Sequence, residues 1–581
     1  GAPVHHRDRL DQVQRELREY PGVSVLIYDQ TCAAEKRRRR KRGTFPDPDK
    51  RAFINEAVCE GCGDCGEKSN CVAVEPLETE FGRKRRINQS ACNKDFSCVK
   101  GFCPSFVTVE GGKLRKGSGV QRDVEIPSLP EPQRPSTEQP FSLLVTGIGG
   151  TGVVTIGQLL GVAAHLEGKG VTVLDMAGLA QKNGAVMSFV RIAERPEQLH
   201  AARIATGGAD AVLGCDIVTT ASADGLAKMQ VGLTQVVANC AETPTADFTH
   251  KPDWEWPEGR MRAAIGQAAG EDKVTFLNGT DLATRLLGDA IATNMFMLGF
   301  AWQRGLVPMS LAALHRAIEL NEVAIEANKR AFAWGRYAAH DLAAVERIAT
   351  PAEVIPLGER PSRNLDELIE HRVKHLTGYQ NAAYARRYRA LVEHLREVES
   401  AKVGGTRLTE AVARYYAKLL AYKDEYEVAR LYTDGRFEKR LASVFEGDTR
   451  LTFHLAPPLL AKADPITGVP KKMKFGPWMM SALRLLAGLK RLRGTPLDVF
   501  GRSEERRTER ALIEEYEHTV NVIVEHLSRE NHALAIEIAS LPEHIRGYGH
   551  LKAQSIAAAR DKRHELLTRY REPGATERAA A

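Results

Sequence analysis

The stretch that decides this chain is Cys59-Glu-Gly-Cys62-Gly-Asp-Cys65-Gly-Glu-Lys-Ser-Asn-Cys71. A second copy starts 33 residues later, as Cys92-Asn-Lys-Asp95-Phe-Ser-Cys98-Val-Lys-Gly-Phe-Cys103-Pro104. The spacings are C-x2-C-x2-C-x5-C and C-x2-D-x2-C-x4-C-P. Seven of the ten cysteines lie in these 45 residues, while Cys32, Cys215 and Cys240 stand alone. The first twenty residues are charged and lack the apolar core of a signal peptide. In a chain that is not secreted, crowded cysteines favour metal or cluster ligation over disulfides, and a reducing cytoplasm is the expected compartment.

Soft thiolates at this pitch can wrap three corners of an iron–sulfide cube. In the bacterial ferredoxin pattern C-x2-C-x2-C-x3-C-P, each fourth cysteine serves the other cluster. Applied here, one 4Fe–4S cluster takes Cys59, Cys62, Cys65 and Cys103. The other takes Cys71, Cys92 and Cys98, with Asp95 where a cysteine would stand. A carboxylate is a hard donor that holds iron less firmly, so the second site is expected to carry a labile 4Fe–4S or a 3Fe–4S cluster. Zinc prefers two separated C-x2-C pairs in a tetrahedron, and three cysteines in one row suit it poorly. Cys32 is too far along the chain to be an eighth ligand.

Working outward, five segments follow. Residues 1–50 carry a charged helix over 8–18, a short apolar strand Val23-Ser-Val-Leu-Ile-Tyr28 and a basic run over 36–42. One helix and one strand cannot bury a core, and the chain begins with Gly, so this segment is expected to be the remnant of a longer domain. Residues 51–120 form the cysteine module. Residues 121–140, with Pro127, Pro130, Pro132, Pro135 and Pro140, form an extended linker. Residues 141–347 alternate strand and helix, with strands expected at 142–146, 171–174, 211–213, 217–220, 234–239 and 274–277, the pattern of a doubly wound α/β sheet. Residues 348–581 show apolar spacing of three and four and are expected to be mostly helical, broken at Pro457-Pro458 and over 464–472. Cys215 and Cys240 sit in or beside apolar strands and are expected in the core.

Residues 141–146 run as a strand into Gly147-Ile-Gly149-Gly150-Thr-Gly152 and then an apolar helix. Such glycines allow a tight turn and leave a helix N-terminus open to an anion. Asp175 closes the next strand where a ribose-binding acid would stand. A dinucleotide site, another phosphate-bearing ligand and a purely structural turn all fit this loop.

The net charge of +7 is small for 581 residues. The basic run and the cluster Arg83-Lys-Arg-Arg86 lack interleaved aromatics, which excludes a nucleic-acid surface. They suit either docking of an acidic partner such as a soluble ferredoxin or a solvated basic face. No stretch approaches the ~20 apolar residues of a membrane span. Walker, G-x-S-x-G and H-E-x-x-H motifs are absent.

Together these motifs resemble the 2-oxoacid:ferredoxin oxidoreductases, and within them the C-terminal half of the long fused bacterial indolepyruvate ferredoxin oxidoreductases. Val25-Leu-Ile-Tyr-Asp-Gln-Thr-Cys32 and the basic run after it look like the end of that family's thiamine-diphosphate domain. The cysteine module looks like its ferredoxin domain. The glycine loop, Gln181-Lys-Asn-Gly184, Val190-Arg-Ile192, Thr293-Asn294 and Gly299 look like its gamma domain. Lys472-Met-Lys-Phe-Gly-Pro-Trp478, Leu492-Arg-Gly-Thr495 and Ile545-Arg-Gly547 resemble its helical C-terminal region. The resemblance implies a multidomain α/β and α protein: a ferredoxin-like two-cluster module, a Rossmann-like gamma domain and a mostly helical C-terminal region.

It also implies oxidative decarboxylation of a 2-oxoacid to an acyl-coenzyme A, with electrons passing through iron–sulfur clusters to soluble ferredoxin. Gly147, Gly149, Gly150 and Gly152 would then face a phosphate-bearing ligand such as coenzyme A. The G-D-G motif that holds thiamine diphosphate and Mg²⁺ is missing. That cofactor is therefore expected on a partner chain or a missing N-terminal half, within an oligomer, with this chain inactive alone. The competing readings are an NAD(P)-linked iron–sulfur oxidoreductase and a non-catalytic electron carrier.

Overall fold

The computed structural model describes residues 2–571 apart from 33–34, 37–38, 41, 116–123, 151, 179–183, 246, 350–361, 458–460 and 462–469. Gln181, Lys182 and Asn183, Thr151 of the glycine loop, parts of the basic run and most of the 464–472 break thus lie outside the described residues.

The cysteine copies are framed by two strands. β1 (Lys50–Ile54) leads into the first copy. After it come a short helix, Asp64–Ser69, and a hairpin of β2 (Val74–Leu77) with β3 (Lys84–Ile87). The second copy ends in β4 (Phe106–Glu110), which returns antiparallel to β1 with Ile54 opposite Phe106. Side chains alternate across a strand, so each strand has two faces. Ala52, Ile54 and Phe106 pack with Cys59, Cys65 and Cys98. Phe53, Val107 and Val109 face the other way, into a second apolar cluster.

That second face is covered from far along the chain. β5 (Lys113–Leu114) pairs with a C-terminal strand described below. β13, spanning Arg450–Leu455, pairs antiparallel with β4, and β14 (Met473–Phe475) pairs with β13. Phe53, Val107, Phe453 and Phe475 form one row across the sheet β1-β4-β13-β14, all buried. The partner of β5 is β12 (Phe445–Glu446). The expected boundary at residue 120 therefore does not close a unit, because the cysteine module borrows strands from the C-terminal region.

The α/β segment holds a six-stranded sheet. β6 (Phe141–Ile148), β9 (Ala211–Gly214), β10 (Gln235–Asn239) and β11 (Val274–Leu277) run parallel. β8 (Ala185–Ala193) pairs antiparallel with β6, and β7 (Gly170–Ala177) pairs antiparallel with β8. The order is β11-β10-β9-β6-β8-β7. Two expectations fail here. Residues 217–220 form a helix, Ile217–Thr220, because the Asp216 carboxylate accepts the Thr219 N–H at 3.0 Å and caps it. β8, which was not foreseen, sits antiparallel between β6 and β7, so the sheet is mixed rather than wholly parallel, with helices on both of its faces as expected. Helix Val153–Leu166 packs on this sheet. Cys215 and Cys240 lie in the core as expected.

Helices dominate residues 365–571, and their starts are written locally. Asn364, Asn381, Asp424 and Ser503 each accept a backbone N–H of the first turn. Tyr388, Tyr416 and Tyr516 stack in the core of this bundle at centroid spacings of 5.9 and 6.0 Å. Near the N-terminus, helix Leu10–Glu19 forms as expected, but residues 23–28 form no strand. Val23, Val25 and Ile27 are instead 94%, 76% and 84% exposed, since no neighbouring strand completes their pairing. Among the described residues, no helix is long and apolar enough to cross a membrane.

Candidate functional site: two cysteine sets beside a gamma-type domain

Cys59, Cys62, Cys65 and Cys103 line one small cavity with Ile54, Glu60, Asp64, Arg85 and Phe106. The three-residue pitch brings the first three together, and the β1–β4 pairing carries Cys103 back to them. This is the expected ligand set. The turn is built on left-handed backbone at Gly61 (φ 70°) and Gly63 (φ 86°), and a side chain at Gly61 would collide with the Arg83 carbonyl. The Gly61 N–H points at the Cys59 sulfur at 3.3 Å.

The second copy repeats the backbone of this turn. Lys94 (φ 52°) and Phe96 (φ 63°) stand 33 positions after Gly61 and Gly63 and adopt the same left-handed conformation without being glycine. The Lys94 N–H lies 3.3 Å from the Cys92 sulfur. Non-glycine residues held there cost on the order of 1–3 kcal/mol each, so the surroundings enforce the loop shape. Cys98 is pushed up to about 12 by burial, then by the nearby Cys92 and Cys71 thiols.

Asp95 occupies the position equivalent to Cys62. Its carboxylate pairs with Arg7 at 2.9 Å and accepts the Ser97 hydroxyl. Burial would raise its pKa, but the Arg7 and Ser97 hydrogen bonds hold it below the ordinary carboxylate value. The basic run lies beside this copy, where the Arg40 guanidinium donates to the Asn93 carbonyl at 2.6 Å.

The donor chemistry fits an iron–sulfur group. Burial, then the mutual proximity of the thiols, raises Cys59 and Cys65 and pushes Cys62 up to about 12. Thiols raised in this way, as Cys59, Cys62 and Cys65 are, become thiolates together only with strong positive charge among them, which iron would supply. Among the described residues, no three His, Cys, Asp or Glu side chains close around a single metal ion. Lys472, from the C-terminal region, is half-buried with its ammonium donating to the Val99 carbonyl at 3.1 Å, where thiols of both sets (Cys103, Cys65, Cys98) act on it. Sequence reasoning missed this lysine. Its one signal was a place in a stretch already singled out for resemblance.

The cluster Arg83-Lys-Arg-Arg86 is not a docking face. Arg83 and Arg85 donate to the carbonyls of Trp254 and Pro252 at 2.7 and 3.0 Å, and Arg85 stacks 4.5 Å from the Phe248 ring. These arginines pin the cysteine module to the α/β domain. Arg86 pairs with Glu75 at 3.2 Å.

At the glycine loop, Gly150 (φ 95°) and Gly152 (φ 86°) are left-handed, and a side chain at Gly152 would collide with Asn294. The loop and the Thr293-Asn294 stretch thus meet. Gly147 and Gly149 pair with the strand opposite and its approach: Gly147 faces Val186, and the Gly149 N–H donates to the Gly184 carbonyl at 2.7 Å. Gly299 lets two helices touch, because a side chain there would strike the Phe332 carbonyl. Asp175 lies opposite Ser188 on β8, and Ser188 lies opposite Val145 on β6. A whole strand therefore separates Asp175 from the glycine strand, roughly twice the ~4.8 Å strand spacing, and the ribose-acid geometry is not formed. Asp216, unremarked in the sequence, is a buried acid at the end of β9, raised by burial.

Residues 142–338 match the family described as pyruvate ferredoxin/flavodoxin oxidoreductase, and residues 365–565 match a family of unknown function. The indolepyruvate oxidoreductase subunit IorB of Methanothermobacter thermautotrophicus is 28% identical over 194 residues, 33% of this chain and 94% of that protein. The subunit of the same name from Thermococcus kodakarensis is 26% identical over 213 residues, 35% of this chain and 97% of that protein. A crystal structure of the pyruvate oxidoreductase subunit PORC from Thermotoga maritima covers 34% of this chain and 96% of its own, at 22% identity and a TM-score of 0.25. Residues 142–338 thus form a gamma-type domain similar to those of the 2-oxoacid:ferredoxin oxidoreductases. The curated relatives are themselves indolepyruvate oxidoreductase subunits, each covered almost in full by about a third of this chain.

Proposed function

We propose that this chain is the electron-transfer and gamma-domain portion of a thiamine-diphosphate-dependent oxidoreductase of the indolepyruvate or arylpyruvate type. Two iron–sulfur clusters would be held by Cys59, Cys62, Cys65 and Cys103, and by Cys71, Cys92 and Cys98 near Asp95. When bound, they supply one-electron steps between the oxidised 2-oxoacid and ferredoxin. In the overall reaction, the bond between carboxylate and carbonyl carbon breaks, carbon dioxide leaves, coenzyme A takes the acyl group and two ferredoxins each accept one electron.

The observation that carries this reading is the four-cysteine cavity fixed directly against a gamma-type domain by Arg83 and Arg85. A wire belongs beside the domain it serves. This chain's own residues orient the thiols, exclude water around Cys59 and Cys65 and place Lys472 between the two sets. The exposed apolar Val23, Val25 and Ile27 suit a segment completed by a thiamine-binding partner chain or by a preceding domain. The basic run beside the second copy suits the docking of an acidic ferredoxin.

The test is reconstitution with a thiamine-binding partner, followed by an assay of ferredoxin reduction. Turnover is expected only when an arylpyruvate, coenzyme A and both proteins are present. Reduction of the clusters by NAD(P)H, or no turnover with any 2-oxoacid, would overturn the reading.

A further inference from the structure

A cavity of about 680 Å³ opens between the cysteine module and the helical region. Its size is that of small-molecule sites. Ten Lys and Arg side chains line it against seven Glu. All seven carboxylates are already committed to cations, among them Glu60 to Lys423, Glu80 to Arg372 and Glu509 to Lys552. The surplus is positive.

Lys84 carries most of the argument. It is 8% exposed, and among the described residues its ammonium makes no hydrogen bond or ion pair, while its backbone pairs with Leu77 and accepts from Arg85. Lys418 donates only to the backbone carbonyls of Pro542 and Glu543, at 2.8 and 3.0 Å. Burying a cation without a counter-charge is costly, and such groups persist where a ligand completes them. Burial also pulls Lys84 down to about 8 and Lys418 to about 7, although Glu60, itself committed to Lys423, draws both the other way. Between the charges the wall is apolar, with Phe81, Tyr415, Tyr422, Phe437 and Leu512. Cationic points on an apolar wall match an anion with an apolar body, and exclude a free metal cation.

We propose that this chamber binds a small organic anion, its carboxylate or phosphate head between Lys84 and Lys418 and its body against the aromatic wall. Ile54 and Glu60 line both this chamber and the four-cysteine cavity, so the ligand lies one residue layer from the first cysteine set. The site goes beyond the proposed activity and does not depend on it.

The test is calorimetric titration of the full chain, handled without oxygen, with phenylacetate and with pyrophosphate. Saturable binding of either is expected, and which one binds tells a carboxylate head from a phosphate head. Lys84→Met and Lys418→Met should each weaken it at least tenfold, while Lys562→Met, on the outer surface, should leave it unchanged. Without ligand, Lys84→Met should keep or raise the melting temperature, because it removes an unpaired buried charge. Absence of saturable binding of both probes up to about 10 mM, the limit of weak recognition, overturns the proposal. So does binding that survives both variants, or a lower melting temperature for Lys84→Met. The readout needs no turnover, so failure here leaves the proposed function standing.

Discussion

The two cysteine copies share one backbone and differ in surroundings. In the first, glycines adopt the left-handed positions, four thiols close on one cavity, and Cys59 and Cys65 are 6% and 7% exposed. In the second, Lys94 and Phe96 take the same turns, three thiols remain, and Asp95 is drawn to Arg7 at the surface. Retaining a strained loop while changing one ligand separates two requirements. The loop shape fixes the sulfur positions, while the fourth donor sets how firmly the group is held. On the proposed reading, the first site would hold its cluster firmly beside the gamma-type domain, and the second would hold one more loosely near the basic run.

The largest effect that could break this contrast is expected from Cys65→Ser. Cys65 packs with Ala52, Ile54 and Phe106, so losing its thiolate should remove the first cluster, about half the bound iron on the two-cluster pattern, and lower the melting temperature. Iron and sulfide analysis with thermal unfolding checks both, and unchanged iron would refute the assignment. Asp95→Cys should have a smaller, opposite effect. It should add about one iron per chain and abolish the electron paramagnetic signal of an oxidised 3Fe–4S centre, giving the second site the first site's donor set. If iron and signal stay the same, Asp95 is already a ligand or the loop cannot present a fourth sulfur. Lys472→Met should have the smallest effect. Removing a half-buried positive charge near both sets disfavours the reduced, more negative state, so both midpoint potentials should fall by some tens of millivolts. A shift in only one potential during redox titration would show that Lys472 serves a single site.

Much of the site was legible because ligation is a local matter of residue type and pitch. Cys59, Cys62 and Cys65 sit at fixed intervals, and the 33-residue repeat announced the second copy. The glycine loop was legible as a strand-to-helix turn, but Asp175 misled, since a strand–helix–strand order does not reveal that β8 will insert between the two strands. Residues 217–220 misled in a similar way. Four apolar and β-branched residues suggest a strand, until the preceding Asp216 caps them as a helix. The basic cluster around Arg85 looked solvated because charge alone does not disclose that Phe248 and Pro252 lie over it.

By itself, then, the sequence determined the spacing of the cysteines, their grouping as two copies, the odd carboxylate in the second and the alternation that marks the gamma-type domain. These follow from spacing within a few residues, where backbone geometry leaves little freedom. Only the tertiary structure decided that Phe453 and Phe475 complete the sheet behind the cysteines, that Arg83 and Arg85 lock the module to its neighbour, and that Lys84 is left unpaired in a shared chamber. Those depend on contacts between segments hundreds of residues apart, set by how whole faces bury against one another rather than by any local pattern.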